Sequence, residues 1–546
     1  MSASGASIPI YQWQFLSASE EAAVDASVNV IMNERFKNVT LNISDDGVPY
    51  AGTLHLKQTF TDFTDFAGFE CDYQDDLLAV NPSRSCMVHV RWDQVEPVQG
   101  EWDFSSSDSE YADAVGHNMN DLHIFLGPSV EKCPPWNCYY IPGWATSLWE
   151  SAGNSSDYES LKDAMREYVE MVVSHFKGRI EQYELWWEAN AFYGNDDWPL
   201  DRIIDIIKIE ALTIRAVDSA AKIFVDLVWL TPDEIQYLTG SSNNNWTTEY
   251  FVQQLLAAGV PFDVIGLETH IGTGSVVNAG DITTLYNGLI ELSEFGKSLY
   301  IWEDGLESYL PPAWVAQEQG SWWWVGTWHG TPSEAKQAEY LVAETLVYLG
   351  NPSVIGVRWV SIWDDPVWST NLSDCGLLYT NGTRKKSFYA VEALWNSLMV
   401  NGNVQSVNGV ATFRGLPGNY SISAEGYTIE PSTFHVSEGN ENTIPLVLRS
   451  TAVATTSITP TTGGAYYTTA QTSPGLVIPM NYMEYLEVIV LLAAIAIGAI
   501  WISLRRARIR AAARQRPSGG VQFCINCGDE LQPNSKFCGK CGAAQT

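Results

Sequence analysis

Four acidic strand ends and four clustered cysteines are the residues of this chain best placed to do chemistry. Apolar, aromatic stretches run into carboxylates at Glu188 (YELWWEAN), at Glu268 with His270 beyond it (VIGLETH), at Glu303 with Asp304 (LYIWEDG) and at Asp364 with Asp365 (VSIWDDP). A buried strand normally excludes a lone charge, because desolvating it is costly unless it is paired or protonated. One such ending reads equally well as the first residue of a solvated loop. Four that point into one crevice repel one another and resist ionisation together, which is how acid–base sites are built.

The cysteines make a different kind of site. Cys524, Cys527, Cys538 and Cys541 stand in a C-x2-C-x10-C-x2-C arrangement. Two such knuckles bring four thiolates to one tetrahedral zinc, and so short a piece would not fold without the metal. With no open coordination position expected, the zinc is structural and the segment reads as a docking module for a cytoplasmic protein partner. The other five cysteines, Cys71, Cys86, Cys133, Cys138 and Cys375, are scattered. They allow at most two disulfides, Cys133 with Cys138 being the nearest pair, and leave at least one thiol over.

The acids need elements to hold them, and residues 69–400 supply a repeated rhythm of apolar strand, loop and amphipathic helix. Strands are expected at 86–92, 122–128, 183–189, 222–229, 264–270, 299–305 and 356–363, with helices such as 158–176, 200–220 and 333–350 between them. With a weaker first strand near Phe66 to Cys71, this pattern predicts an α/β fold, a (β/α)8 barrel whose catalytic residues sit at the strands' C-terminal ends. A doubly wound sheet is the alternative, and no glycine-rich phosphate loop supports it. Residues 29–68, alternating around a DDG turn, read as a small β module ahead of the barrel. Residues 401–450 read as a second, a small β-sandwich.

Composition bounds the partners. The chain of 546 residues is too long for one core, and its net charge of −34 repels nucleic acid. Its 22 tryptophans suit stacking on sugar rings or simply filling cores. Residues 451–480 form a Ser/Thr/Pro-rich stalk, and Tyr485 to Leu504 is an apolar run long enough to span a bilayer, a buried soluble helix being the alternative. Six arginines follow within residues 505–520, which places the C-terminus in the cytoplasm and the barrel outside. Seven N-x-S/T triplets, at Asn38, Asn42, Asn154, Asn245, Asn371, Asn381 and Asn419, all fall on the external side. Residues 1–28 show no signal peptide, so the apolar segment itself would direct insertion, or the true start lies elsewhere.

With these residues in view, the stretch from Asn29 to Leu398 resembles glycoside hydrolase family 10, whose best-known members are endo-xylanases. The resemblance rests on VRWDQVEPVQGEWDFSSSD (90–108), LWWEAN, VIGLETH, LYIWED, VSIWDDPVW and CGLLYTNGTRKKSFYAV, in that order. It implies a retaining glycosidase with no catalytic cofactor, with Glu188 as general acid/base and Glu303 as nucleophile. The resemblance further assigns His89, Arg91, Trp92, Trp187, Glu268, His270, Trp363 and Trp368 to substrate binding, His270 by bonding the nucleophile and the last two tryptophans as cleft walls. Several positions depart from the family pattern. Trp187 replaces the asparagine that holds the sugar 2-hydroxyl, Glu268 replaces a glutamine, and Arg91 replaces a lysine. A β-linked glycan other than ordinary xylan is the expected substrate, and a glycan-binding protein without turnover is the alternative.

Overall fold

The computed structural model describes residues 34–63, 80, 82–119, 121–126, 140–150, 155–192, 199–229, 247–269, 282–309, 333–359, 362–364, 374–439 and 442–451, and in the tail residues 522–523 and 530–531. The chain divides into a body, residues 1–454, and a tail, residues 455–546.

The body begins with β1 (Lys37–Asp45), β2 (Val48–Pro49) and β3 (Gly52–Thr61). Asp46 and Gly47 between β1 and β2 both have positive φ, 44° and 84°, which a tight two-residue hairpin requires. Seven parallel strands follow in sequence order as neighbours in one sheet: β4 (Ser85–His89), β5 (Asp121–Phe125), β6 (Gln182–Glu184), β7 (Lys222–Val228), β8 (Val264–Glu268), β9 (Ser298–Asp304) and β10 (Val354–Trp359). Helices join them, among them Ser155–Phe176, Leu200–Val217, Thr248–Ala258 and Glu334–Leu349. Two of these helices have side-chain caps: Thr247 accepts the N–H of Tyr250, and Ser333 that of Lys336. The strands are shorter than their apolar runs suggest. The run expected at 183–189 leaves the sheet after Glu184, and the one expected at 356–363 ends at Trp359. The first barrel strand expected near 66–71 lies outside the described residues.

Strand alternation gives this seven-stranded parallel sheet two surfaces. Outward residues such as Ile124, Leu227, Leu267 and Ile301 pack against the helices. Inward residues form a separate aromatic layer of Met87, Phe125, Phe224, Val264, Tyr300 and Trp302. Gly266 occupies an inward position of β8, where an added Cβ would come within 2.7 Å of the Val225 carbonyl oxygen. A side chain at this point would push β7 and β8 apart.

The chain then returns to β structure with β11 (Asn401–Ser406), β12 (Val410–Gly415), β13 (Gly418–Ser423), β14 (Tyr427–Glu430), β15 (Thr433–Val436) and β16 (Asn442–Ser450). These are not a separate module. One sheet runs β12-β1-β16-β14 and the other β11-β3-β13-β15, so each takes an inner strand from the N-terminal stretch. The two β modules expected at 29–68 and 401–450 are therefore a single sandwich with the barrel inserted between its halves. The physical reason is that neither stretch alone buries both faces of its strands; together they enclose Leu41, Leu54, Leu56, Phe413, Tyr420 and Leu448. Hydrogen bonds tie sandwich and barrel together, including Thr61 N to Pro82 O at 3.2 Å and Arg35 Nη2 to Val354 O at 2.6 Å.

In the tail, β17 (Gln522–Phe523) pairs antiparallel with β18 (Glu530–Leu531). The expected stalk and the apolar segment 485–504 lie outside the described residues. Among the described residues no helix is long and apolar enough to cross a membrane.

Candidate active site

The acids expected at the strand ends separate into two groups. Glu268 ends β8, and its register partner on β9 is Glu303, brought level by an irregularity between Leu267 and Glu268. Glu188 lies four residues beyond β6, and its carboxyl is hydrogen-bonded to that of Glu268. These three acids converge. Asp304 faces the opposite way, accepting from Tyr348 Oη of helix Glu334–Leu349 at 2.9 Å. Asp364 forms a buried ion pair with Lys385 and accepts the N–H of Gly376 at 3.1 Å. Asp304 and Asp364 are thus structural, which corrects the expectation that all four strand ends serve one crevice. Asp365 lies outside the described residues.

The segment carrying Glu188 is held from behind by two acids. Glu210, on helix Leu200–Val217, accepts the N–H of Trp186 at 3.2 Å, and Asp226 of β7 accepts the N–H of Glu188 at 3.3 Å. Glu188 itself has a φ of +48°, a left-handed conformation that a residue with a Cβ adopts only when its surroundings impose it. Asn190 locks the next turn by bonding both the carbonyl and the N–H of Val228, at 2.8 and 2.9 Å. The acid/base candidate is therefore presented by a fixed, strained turn rather than by a loose loop.

Electrostatics below this turn are unusual. Glu184, Asp226, Glu268 and Glu303 are at most 4 % exposed. Burial pushes Asp226 up to about 7 and Glu210 up to about 8. Burial first, then the charges of Glu188, Glu303 and Asp226, hold the Glu268 carboxyl well above the usual carboxylate range. Glu184 is raised likewise, by burial and then by Asp226. Among the described residues Arg358 of β10 is the cation that faces them: stacked over Trp302 at 4.4 Å, it favours the charged forms of Glu184 and Asp226. Glu184, Asp226 and Arg358 were not foreseen as site residues. Each is nevertheless a lone charge inside an apolar run, in YELWW, KIFVDLVW and GVRWV.

The remaining residues assigned from sequence divide as follows. Trp187 donates its indole N–H to Glu268 Oε1 at 2.8 Å and meets Phe125 edge-on. Phe125 meets Tyr140 edge-on in turn, and the Arg91 guanidinium lies 4.2 Å over the Tyr140 ring, its fork held by Asp93. An aromatic line thus connects Arg91 to the acids. His89 bonds Glu110 through Nδ1 at 2.9 Å. Trp92 differs from its expected role in substrate binding: it is fully buried, stacked on Tyr168 and bonded to Glu96, so it is a core residue. Trp363, partly buried, follows β10 and bridges to Leu378. His270, Trp368 and the four tail cysteines lie outside the described residues.

The model of glycosyl hydrolase family 10 matches residues 85–394, more than half of the chain. The chain belongs to glycosyl hydrolase family 10. In family 10 terms the matched region begins at β4 and takes in the parallel strands and the helices around them. A zinc-ribbon domain model matches residues 523–545. Endo-1,4-beta-xylanase B of Thermotoga neapolitana is 25 % identical over 218 residues, 39 % of this chain and 55 % of that protein. Endo-1,4-beta-xylanase A of Phanerodontia chrysosporium is 24 % identical over 238 residues, 42 % of this chain and 51 % of that protein. The chain spans about half the length of these relatives. Among solved structures, native xylanase 10B from Thermotoga maritima matches 61 % of this chain and 95 % of its own at 18 % identity, with a TM-score of 0.44.

Proposed function

We propose that this family 10 protein is a retaining glycosidase that cleaves β-glycosidic bonds of a xylan-like polysaccharide or glycoconjugate. The observation that carries this reading is the meeting of Glu188, Glu268 and Glu303 at the C-terminal ends of parallel strands, where barrel enzymes place their chemistry. Glu188 protonates the departing glycosidic oxygen while Glu303 attacks the anomeric carbon; water, deprotonated by Glu188, then releases the sugar from Glu303. Arg91, His89, Trp363 and, outside the described residues, His270 and Trp368 are proposed to line the sugar cleft. Trp187 contributes its ring face, since its N–H is engaged by Glu268.

The test is release of reducing sugar from xylan, β-glucan and mannan by the full chain and by Glu303→Ala. Release by the unmodified chain alone supports the reading; no release by either from any of the three overturns it. A glycan-binding protein without turnover is the second reading, favoured by Trp187 standing where the family places a sugar-binding amide. Affinity without hydrolysis in the same panel selects it.

The zinc-ribbon match accords with the donor set: Cys524 and Cys527 fall between the paired strands β17 and β18, and Cys538 and Cys541 complete four soft thiolate ligands. Zinc there would supply structure and no catalytic step, leaving the tail free to dock a cytoplasmic protein. Anchoring through residues 485–504, with the barrel outside the cell membrane, remains part of the proposal. The disulfide at Cys86 and the exposed Asn38, Asn42 and Asn381 support an external body, while Cys375 is a free buried thiol. Fractionation of cells making the full chain or a chain ending at residue 480 checks this: only the full chain should sediment with membranes.

A further inference from the structure

The two-carboxylate reaction leaves three buried acids unexplained. Glu184, Asp226 and Glu268 lie buried on the neighbouring strands β6, β7 and β8; Asp226 accepts the N–H of Glu188 at 3.3 Å, and the Glu268 carboxyl pairs with those of Asp226 and Glu188. A hydrogen bond between two carboxyls needs a proton between them, because an ionised carboxylate only accepts. The Glu188–Glu268 pair therefore holds a proton between its two acids. Glu268 is the link that touches the acid/base.

Its surroundings favour the protonated form. From β7 it faces Asp226, from the turn after β6 it faces Glu188, and from β9 it faces Glu303; Arg358 of β10 acts on Glu184 and Asp226 lower in the chain. Trp187 donates to its Oε1 at 2.8 Å, fixing one oxygen as an acceptor. The proton of Glu268 is thereby directed to Oε2 and its carboxyl neighbours.

We propose that Glu268 is the positioning residue of the acid/base, its protonated carboxyl sharing a proton with Glu188 across their hydrogen bond. This rests on the glycosidase reading above. In glycosylation the Glu188 proton passes to the glycosidic oxygen as its bond to the anomeric carbon breaks and the bond to Glu303 forms. That transfer leaves both Glu188 and Glu268 ionised, and the charge of Glu268 strengthens Glu188 as a base for the next step. In deglycosylation water gives a proton back to Glu188 as its oxygen bonds the anomeric carbon and the ester to Glu303 breaks. The pair ends the cycle with one shared proton, as it began.

A shared pair loses its last proton at higher pH than either acid would alone, because the second ionisation meets a like charge. Glutamine at this position keeps the shape and the acceptor for Trp187 and removes that charge. The experiment measures kcat/KM against pH for the full chain, Glu268→Gln and Glu268→Asp on 4-nitrophenyl β-xylobioside. We expect the alkaline limb of Glu268→Gln to fall about one pH unit below that of the unmodified chain, and Glu268→Asp to recover most of the difference. Superimposable limbs for all three overturn the proposal, since a merely structural glutamate would not move them. Infrared absorption of protonated carboxyls, titrated on the same proteins without substrate, separates this failure from that of the glycosidase reading. The unmodified chain should keep more protonated carboxyl at neutral pH than Glu268→Gln even if it hydrolyses nothing, and equal absorption overturns the proposal independently.

Discussion

The molecule has two interiors built on opposite rules. The sandwich core is closed by apolar side chains, Leu41, Leu54, Phe413 and Tyr420 among them, each of which gains from leaving water. The barrel interior sets Phe224, Tyr300 and Trp302 beneath Glu184, Asp226, Glu268 and Glu303, where ionised burial is costly and only shared protons, hydrogen bonds and Arg358 make it tolerable. The difference teaches where each kind of substitution should register: in stability for the sandwich, in chemistry and pH response for the barrel.

The sharpest way to break that comparison is Glu303→Gln. Turnover should fall by about three orders of magnitude, roughly 4 kcal/mol of transition-state stabilisation, while the melting temperature stays level or rises. A large loss of stability would show that Glu303 is structural. Next in size is Leu41→Ala in β1, where removing a fully buried side chain should cost about 2–5 kcal/mol in denaturant unfolding and leave the activity of the folded protein unchanged.

The pH dependence of stability comes third. Burial raises the folded-state ionisation of Glu210 to about 8 and of Asp226 and Asp304 to about 7, well above their unfolded values. A group raised in this way contributes fully below its unfolded pKa, near pH 4, and loses its contribution as pH climbs through its folded one, at about 1.4 kcal/mol per unit. Melting temperature should therefore fall from pH 5 to pH 8, and a flat or rising profile would contradict the protonated interior. The smallest effect is expected of Glu184→Gln: a gain of about 1 kcal/mol in stability at pH 8 and none at pH 5, read by the same melts.

Sequence alone carried the parallel strands and the acid–base pair a long way, because apolar runs ending in carboxylates are a local signal. Glu188 and Glu303 were visible as chemistry and as strand ends. Which acids converge was not, since Asp304 and Asp364 are separated from Glu303 and Glu268 only by which way a strand residue points and by Tyr348 and Lys385, distant in sequence. Trp92 looked like a substrate-binding residue because its neighbours matched a motif, yet Glu96 and Tyr168 enclose it. The alternation of β1 and β3 was plain, while their partners, beyond the whole barrel, left no local trace.

That pairing has a consequence in time. Strand β3 ends at Thr61 and β11 begins at Asn401, so about 340 residues separate β3 from its first partner during synthesis, and β1, apart from its short hairpin with β2, waits as long for β12 and β16. At about 5–20 residues per second, β1 and β3 wait roughly 20–70 s with open edges. The parallel strands are thus all made before the sandwich can close, and the last sandwich strand made, β16, is the one that lies parallel to β1. Ribosome-bound chains halted at residue 400 should be cut by protease within 37–61, and chains extended past residue 451 and clear of the exit tunnel should resist. The sandwich would then act as a latch that closes when translation of the body ends.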